Sequence, residues 1–195
     1  MAATASPYGL RPLNLIGGQV FAGSFREIPM TVNSAVAVYN GDVVQISAAS
    51  AGQPQSIATT PTTSTPGVVG VCVGVRYVTP GLTQPQYAQY LPANAITNGY
   101  TQVFIRVCDD PDALFVCQAV GQVAADQRGR FAALENFGGN AQTGNSTVRL
   151  STPDNTGTKA VRIVDFVDAN SAFTDCIVKI NQGVHMYYNA LALTT

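Results

Sequence analysis

The chain has 195 residues, of which 46% are hydrophobic and only 11% charged, and its net charge is −1. That is enough apolar material for one sizeable core, with far fewer charges than the quarter or so usual in a soluble domain. A near-neutral chain with no Lys/Arg run argues against a sequence-independent grip on nucleic acid, and no apolar run approaches the ~20 residues of a membrane-spanning helix.

The opening stretch MAATASPYGLRPL has neither a charged n-region nor a long apolar run, so no signal peptide is expected. Residues 6–30, SPYGLRPLNLIGGQVFAGSFREIPM, scatter apolar side chains among proline and glycine with neither helical nor alternating period. Such a stretch is too apolar for a solvated tail and too broken for a core element. It reads as an extended arm, residues 1–31, lying on a surface, its own or a neighbour's. Residues 32–195 read as a single β domain.

Within that domain, SAVAVYNGDVVQIS (34–47) predicts a hairpin turning at Asn40-Gly41. Residues 48–67, rich in Ala, Ser, Thr, Gly and Pro, predict a long exposed loop. The β-branched run VVGVCVGVRYVT (68–79) predicts a strand buried on both faces, with Gly70 and Gly74 marking a bend or close packing. A Pro-rich excursion covers 80–100. Strands are expected at 101–108, 113–121, 159–168 and 175–193, the last interrupted at Gly183, with a short one at 146–150. Residues 122–139 have helical propensity, but Gly129 limits them to a short helix or turn. Many short strands divided by turn signals predict an all-β protein, a β-barrel or sandwich with long Pro/Thr/Gly-rich loops.

VCDDPDALFVCQ (107–118) packs three aspartates and two cysteines into twelve positions. It reads as a hairpin, with strands 103–108 and 113–118 joined by DDPD. Pro111 suits a turn, and Asp side chains accept from free backbone N–H groups there. Pairing would set Cys117 opposite Phe104, placing Cys108 and Cys117 ~13 Å apart along the ladder. That is too far for a disulfide or a shared zinc. The aspartates lack the Gly and distal Glu of a calcium loop. Cys72, Cys108, Cys117 and Cys176 form no CxxC pair and read as buried free thiols.

His185 is the single histidine, in strand-like surroundings, and reads as structural. There is no GxSxG, P-loop or HExxH. GVVGVCVG lacks the following helix and acidic residue of a dinucleotide fingerprint. Glu27 and Glu135 are the two glutamates, and nothing pairs them for acid–base work. No enzymatic activity, metal or cofactor is expected. The low charge suggests a surface partly covered by partner subunits, and the excess of Arg (eight) over Lys (two) fits interfaces.

The order of motifs resembles small structural proteins of tailed bacteriophages encoded near the major capsid protein, the head decoration or cement proteins. The matching pieces are SPYGLRPLNLIGGQVFAGSFREI, YNGDVVQI, GVVGVCVGVRYV, FIRVCDDPDALFVCQAVG, AADQRGRFAALENFGGNAQTGNSTVRL, VRIVDFVD and IVKINQGVHM, covering most of the chain. The resemblance implies a non-enzymatic virion protein, made in the host cytoplasm and bound to the outer capsid surface. Such proteins commonly bind as homotrimers and clamp neighbouring major capsid protein subunits. Tyr8, Leu10, Arg11, Pro12, Phe21, Phe25 and Arg26 are then the candidate capsid anchors, since aromatic and Arg residues dominate interfaces. Removing residues 1–30 is expected to abolish capsid binding and leave the β domain folded. Two alternatives stand beside this reading. One is a tail or head–tail junction component; the other is a glycan- or ligand-binding β module with Tyr87, Tyr90 and Tyr100 lining its pocket.

Overall fold

A computed structural model describes residues 4–46, 52–56, 61–62 and 67–188. Its strands in chain order are β1 (Arg11–Leu15), β2 (Arg26–Pro29), β3 (Val38–Tyr39), β4 (Val43–Ile46), β5 (Pro54–Ser56), β6 (Val68–Val78), β7 (Gln86–Ala88), β8 (Tyr90–Leu91) and β9 (Thr101–Cys108). They continue with β10 (Ala113–Gln118), β11 (Phe131–Ala132), β12 (Leu134–Glu135), β13 (Gly139–Asn140), β14 (Asn145–Ser146), β15 (Arg149–Leu150), β16 (Val161–Phe166) and β17 (Asp175–Ile180). The helical propensity of 122–139 yields one 3-10 turn at Ala125–Gln127, followed by Gly129 at φ +87°.

Two larger antiparallel sheets dominate. One runs β1-β10-β17-β16-β11; the other runs β2-β9-β6-β4-β5, with β7 also on β6. Among the described residues neither closes into a barrel, so the fold is an all-β sandwich. The long strand β6 lies at its centre and is buried on both faces, as its unbroken β-branched run predicts. Val68, Val71 and Val73 join a core with Phe115, Cys117, Ile163, Cys176 and Val178 of the five-stranded sheet. Val69, Cys72 and Val75 join a second core with Val103, Ile105 and Val107, capped by Val38 of β3 and Leu91 of β8.

The glycines of β6 are where close packing is sharpest. A Cβ on Gly70 would fall 2.1 Å from the carbonyl oxygen of Cys108. The β6–β9 register also shifts between Cys72 and Gly74. That shift turns Arg76 to the face opposite Val75.

Two expected hairpins are not hairpins. The turn at Asn40-Gly41 forms, with Gly41 at φ +94° and the Asp42 carboxylate accepting from the Tyr39 N–H at 2.8 Å. Its flanking strands separate, however: β3 pairs with β8, and β4 with β5 and β6. Likewise the DDPD turn forms between β9 and β10, but the two strands lie in different sheets. β9 already has β2 and β6 on its edges, and β10 has β1 and β17, so neither has a free edge for the other. Cys117 therefore faces Cys176 across β10–β17 instead of Phe104.

The region expected as the loop 48–67 contains β5, paired with β4; residues 48–51, 57–60 and 63–66 lie outside the described residues. The Pro-rich 80–100 carries β7 and β8. The last expected strand ends at Ile180 and gives way to turns through 188, beyond which the chain is not described.

Candidate interaction surface

The N-terminal segment is extended, and its two strands are sheet edges of the chain's own body. β1 pairs with β10, and β2 with β9. Gly9 sits where a Cβ would fall 2.6 Å from the Gly41 carbonyl oxygen, so glycine is required for the segment to lie this close.

The anchors proposed from sequence divide accordingly. Leu10 is fully enclosed in the main core. The Tyr8 hydroxyl donates to Asp175 Oδ1 at 2.9 Å. Burial, then that carboxylate, pushes the phenol well above its usual range, and burial likewise raises Asp175. Arg11 donates to Asn145 Oδ1 at 2.6 Å, and Pro12 pairs with Phe115 in β1–β10. Phe21 packs against the edge of the core. These residues hold the segment to its own body. Removing residues 1–30 takes away Leu10, Met30 and both edge strands, so the expectation of an intact domain after that cut no longer follows. Phe25 and Arg26 remain partly exposed, and so do Leu13, Ile16 and Val20, which the sequence reading did not single out.

The aspartate turn is built as a structural turn. Asp110 Oδ1 accepts from the Asp112 N–H at 2.8 Å, and the Asp110 carbonyl accepts from the Ala113 N–H. Asp109 takes Arg26 at 2.8 Å and the Tyr187 hydroxyl at 2.9 Å; Arg26 also donates to that hydroxyl. Asp112 takes Lys179 at 2.6 Å and the Tyr188 hydroxyl at 3.3 Å, and the Lys179 hydrogen bond holds its carboxyl below the usual range. The turn thus ties the N-terminal strand, β17 and the segment after it together.

Behind it lies His185. It is 1% exposed, and burial holds its imidazole down to about 4. Nδ1 accepts from the Tyr187 N–H, while Nε2 has no partner among the described residues. The thiols are enclosed too. Burial pushes Cys72 and Cys176 up to about 12, Cys108 to about 11 and Cys117 higher still. A thiol held this high is a poor nucleophile. Among the described residues no group of three or more His, Cys, Asp or Glu has an arrangement that could hold a metal ion.

A cluster of partly exposed aromatic and arginine side chains lies on the six-stranded sheet. Along β9, Val103, Ile105 and Val107 face one core, while Cys108 faces the other. Alternation puts Phe104 and Arg106 on the Cys108 side. The five-stranded sheet covers Cys108 but stops short of them. Beside them in register stand Glu27 and Pro29 of β2, Arg76 of β6 and Tyr87 of β7. Arg76 donates to Glu27 Oε2 and lies 4.0 Å from the Phe104 ring centroid. Arg106 lies 3.8 Å from the Phe25 centroid and 5.6 Å from that of Tyr87. The sequence carried a signal for this in the alternation of FIRVC, but not the β6 shift that aligns Arg76 with it.

The three tyrosines considered for a ligand pocket do not converge. Tyr87 stands at Arg106, Tyr90 stacks on Tyr39 at 5.5 Å, and Tyr100 meets Tyr77 edge-on at 5.1 Å. An open cleft of about 350 Å³ lies instead on the five-stranded sheet, lined by Ile16, Arg162, Val164, Lys179 and Tyr188 among others. No family model, curated protein or solved structure matches the chain.

Proposed function

We propose that this chain is a non-enzymatic structural protein of a tailed-phage virion that binds the outer capsid surface and cements neighbouring major capsid protein subunits, as a homotrimer. The observation that carries the reading is the half-covered face of the six-stranded sheet. There exposed Phe25 and Tyr87 gather around half-buried Phe104, Arg76 and Arg106, the residue types that concentrate binding energy at protein interfaces. The ordered motif resemblance over most of the chain supports the virion setting.

The test is co-sedimentation of the purified chain with phage heads that lack it. Saturable binding at a fixed ratio to capsid subunits is expected, with a ratio that reports a three-fold position. Ring-shaped assembly without head binding would favour a tail component. The cleft on the five-stranded sheet favours a second reading, a small-ligand or glycan module. A monomer that ignores heads and binds a saccharide saturably would establish it.

A further inference from the structure

We infer that Arg106 is a receptor for a single carboxylate, an Asp or Glu side chain presented by a partner protein that covers the open end of this sheet face. The inference rests on the reading that this face binds protein, but not on the partner being capsid.

Among the described residues Arg106 is the cation of its neighbourhood without an ion pair. Glu27, directly opposite it in β2–β9, gives its carboxylate to Arg76 instead. Among the described residues Arg106 belongs to no ion pair, and its shielded Nε has no acceptor. The guanidinium is nevertheless held in place, with Phe25 at 3.8 Å and Tyr87 at 5.6 Å. Rings near a guanidinium lower its conformational freedom and shield it from water, while its terminal N–H groups keep the fork that matches a carboxylate bidentately.

Three observations select the partner's chemistry. Among the described residues there is one cation here without an ion pair, which suits a singly charged group better than a phosphate or a polyanion. Phe25 is 40% and Tyr87 68% exposed, so apolar area surrounds the charge and would be buried with it. The site stands on the face of a sheet, and that face continues directly into the main core at Cys108. A surface built this way is completed by another protein surface, as the five-stranded sheet completes its other end. A charge-assisted pair formed within an apolar surround is worth more than an exposed one.

The test uses the full chain, labelled with ¹⁵N, and follows the arginine Nε–H resonances as N-acetylglutamate N-methylamide, which carries one side-chain carboxylate, is added, with sodium chloride at matched ionic strength as control. A saturable shift at Arg106 that exceeds that of Arg162 is expected. Arg162 also stacks on one ring, Phe131 at 4.6 Å, but on the other sheet. Arg106→Gln should abolish binding, and Arg106→Lys should weaken it on the order of tenfold, because an ammonium keeps the charge and loses the fork. No shift at Arg106, equal unsaturating shifts at both arginines, or full binding by Arg106→Lys would overturn the proposal. An Arg106 shift produced by concentrating the protein alone would also overturn it, by making the occupant a second copy. Failure of the wild type to bind heads while the Arg106 shift persists would count against the virion reading alone.

Discussion

Cys108 and Phe104 stand on the same face of the same strand, four residues apart, yet one is sealed in the main core and the other is not. At the Cys108 end, Gly70 lets β6 press against β9, and the five-stranded sheet closes over both. At the Phe104 end, the β6 register shift turns Arg76 to the open side, and aromatic rings and guanidinium groups replace the aliphatic contacts. The covered end is closed by core packing, and the open end is the contact surface of the proposal. Substitutions at the two ends should therefore have opposite profiles.

The largest effect is expected at Gly70. A methyl group there meets the Cys108 carbonyl at 2.1 Å with no side chain to yield. Gly70→Ala should cost about 4 kcal/mol or more, seen as a lost or strongly lowered urea midpoint. Phe115→Ala, which empties the largest fully enclosed side chain, should cost about 3–5 kcal/mol. Phe25→Ala or Tyr87→Ser at the open end should change stability by no more than about 0.5–1 kcal/mol. If the two sets cost the same, the comparison fails.

A middle-sized effect depends on pH. His185 has a folded-state value of about 4, below the ordinary 6.5, because burial disfavours its charged form. Between these values the unfolded chain binds the proton and the native chain does not. Stability is therefore full above about pH 6.5 and falls as pH drops toward 4, by on the order of 3 kcal/mol. Asp42, whose carboxyl burial raises, acts in the opposite sense at the low end of that window. The readout is thus the difference between wild type and His185→Phe, whose acid limb should be shallower. Superimposable pH curves would mean His185 titrates normally.

A similarly small effect on stability should come from Arg106→Gln, about 0.5–1 kcal/mol, because among the described residues it loses its contacts with the Phe25 and Tyr87 rings but no ion pair. The enclosed thiols provide a further check on the covered end. Cys72, Cys108, Cys117 and Cys176 should react with a thiol reagent only as fast as the chain unfolds. Rapid labelling of any of them in native buffer would contradict the core assignment.

Strand positions were readable where side-chain period and turn chemistry agree. The runs at 68–79, 101–108 and 113–121 announce β6, β9 and β10 to within a few residues, and Pro111 marks the turn between the last two. Partner choice was not readable. Asn40-Gly41 and DDPD each make the turn that their residues favour, but whether a turn closes a hairpin or crosses between sheets depends on which edges are already occupied. Those edges are filled by strands far away in sequence, β1 and β2 among them. The same gap hid the candidate surface. FIRVC shows that Phe104 and Arg106 share a face, while the arrival of Phe25, Arg76 and Tyr87 depends on pairing and on the shift at Gly74. The N-terminal segment reads in sequence as lying on a surface, its own or a neighbour's, and the fold sets Tyr8, Leu10, Arg11, Pro12 and Phe21 against this chain's own body.

The most direct test of the central claim is quantitative sedimentation with decoration-free heads, comparing wild type with Phe25→Ser/Tyr87→Ser at matched thermal stability. The account predicts saturable, stoichiometric binding by the wild type and loss of binding by the double variant. Equal binding by both would show that this face is not the docking surface.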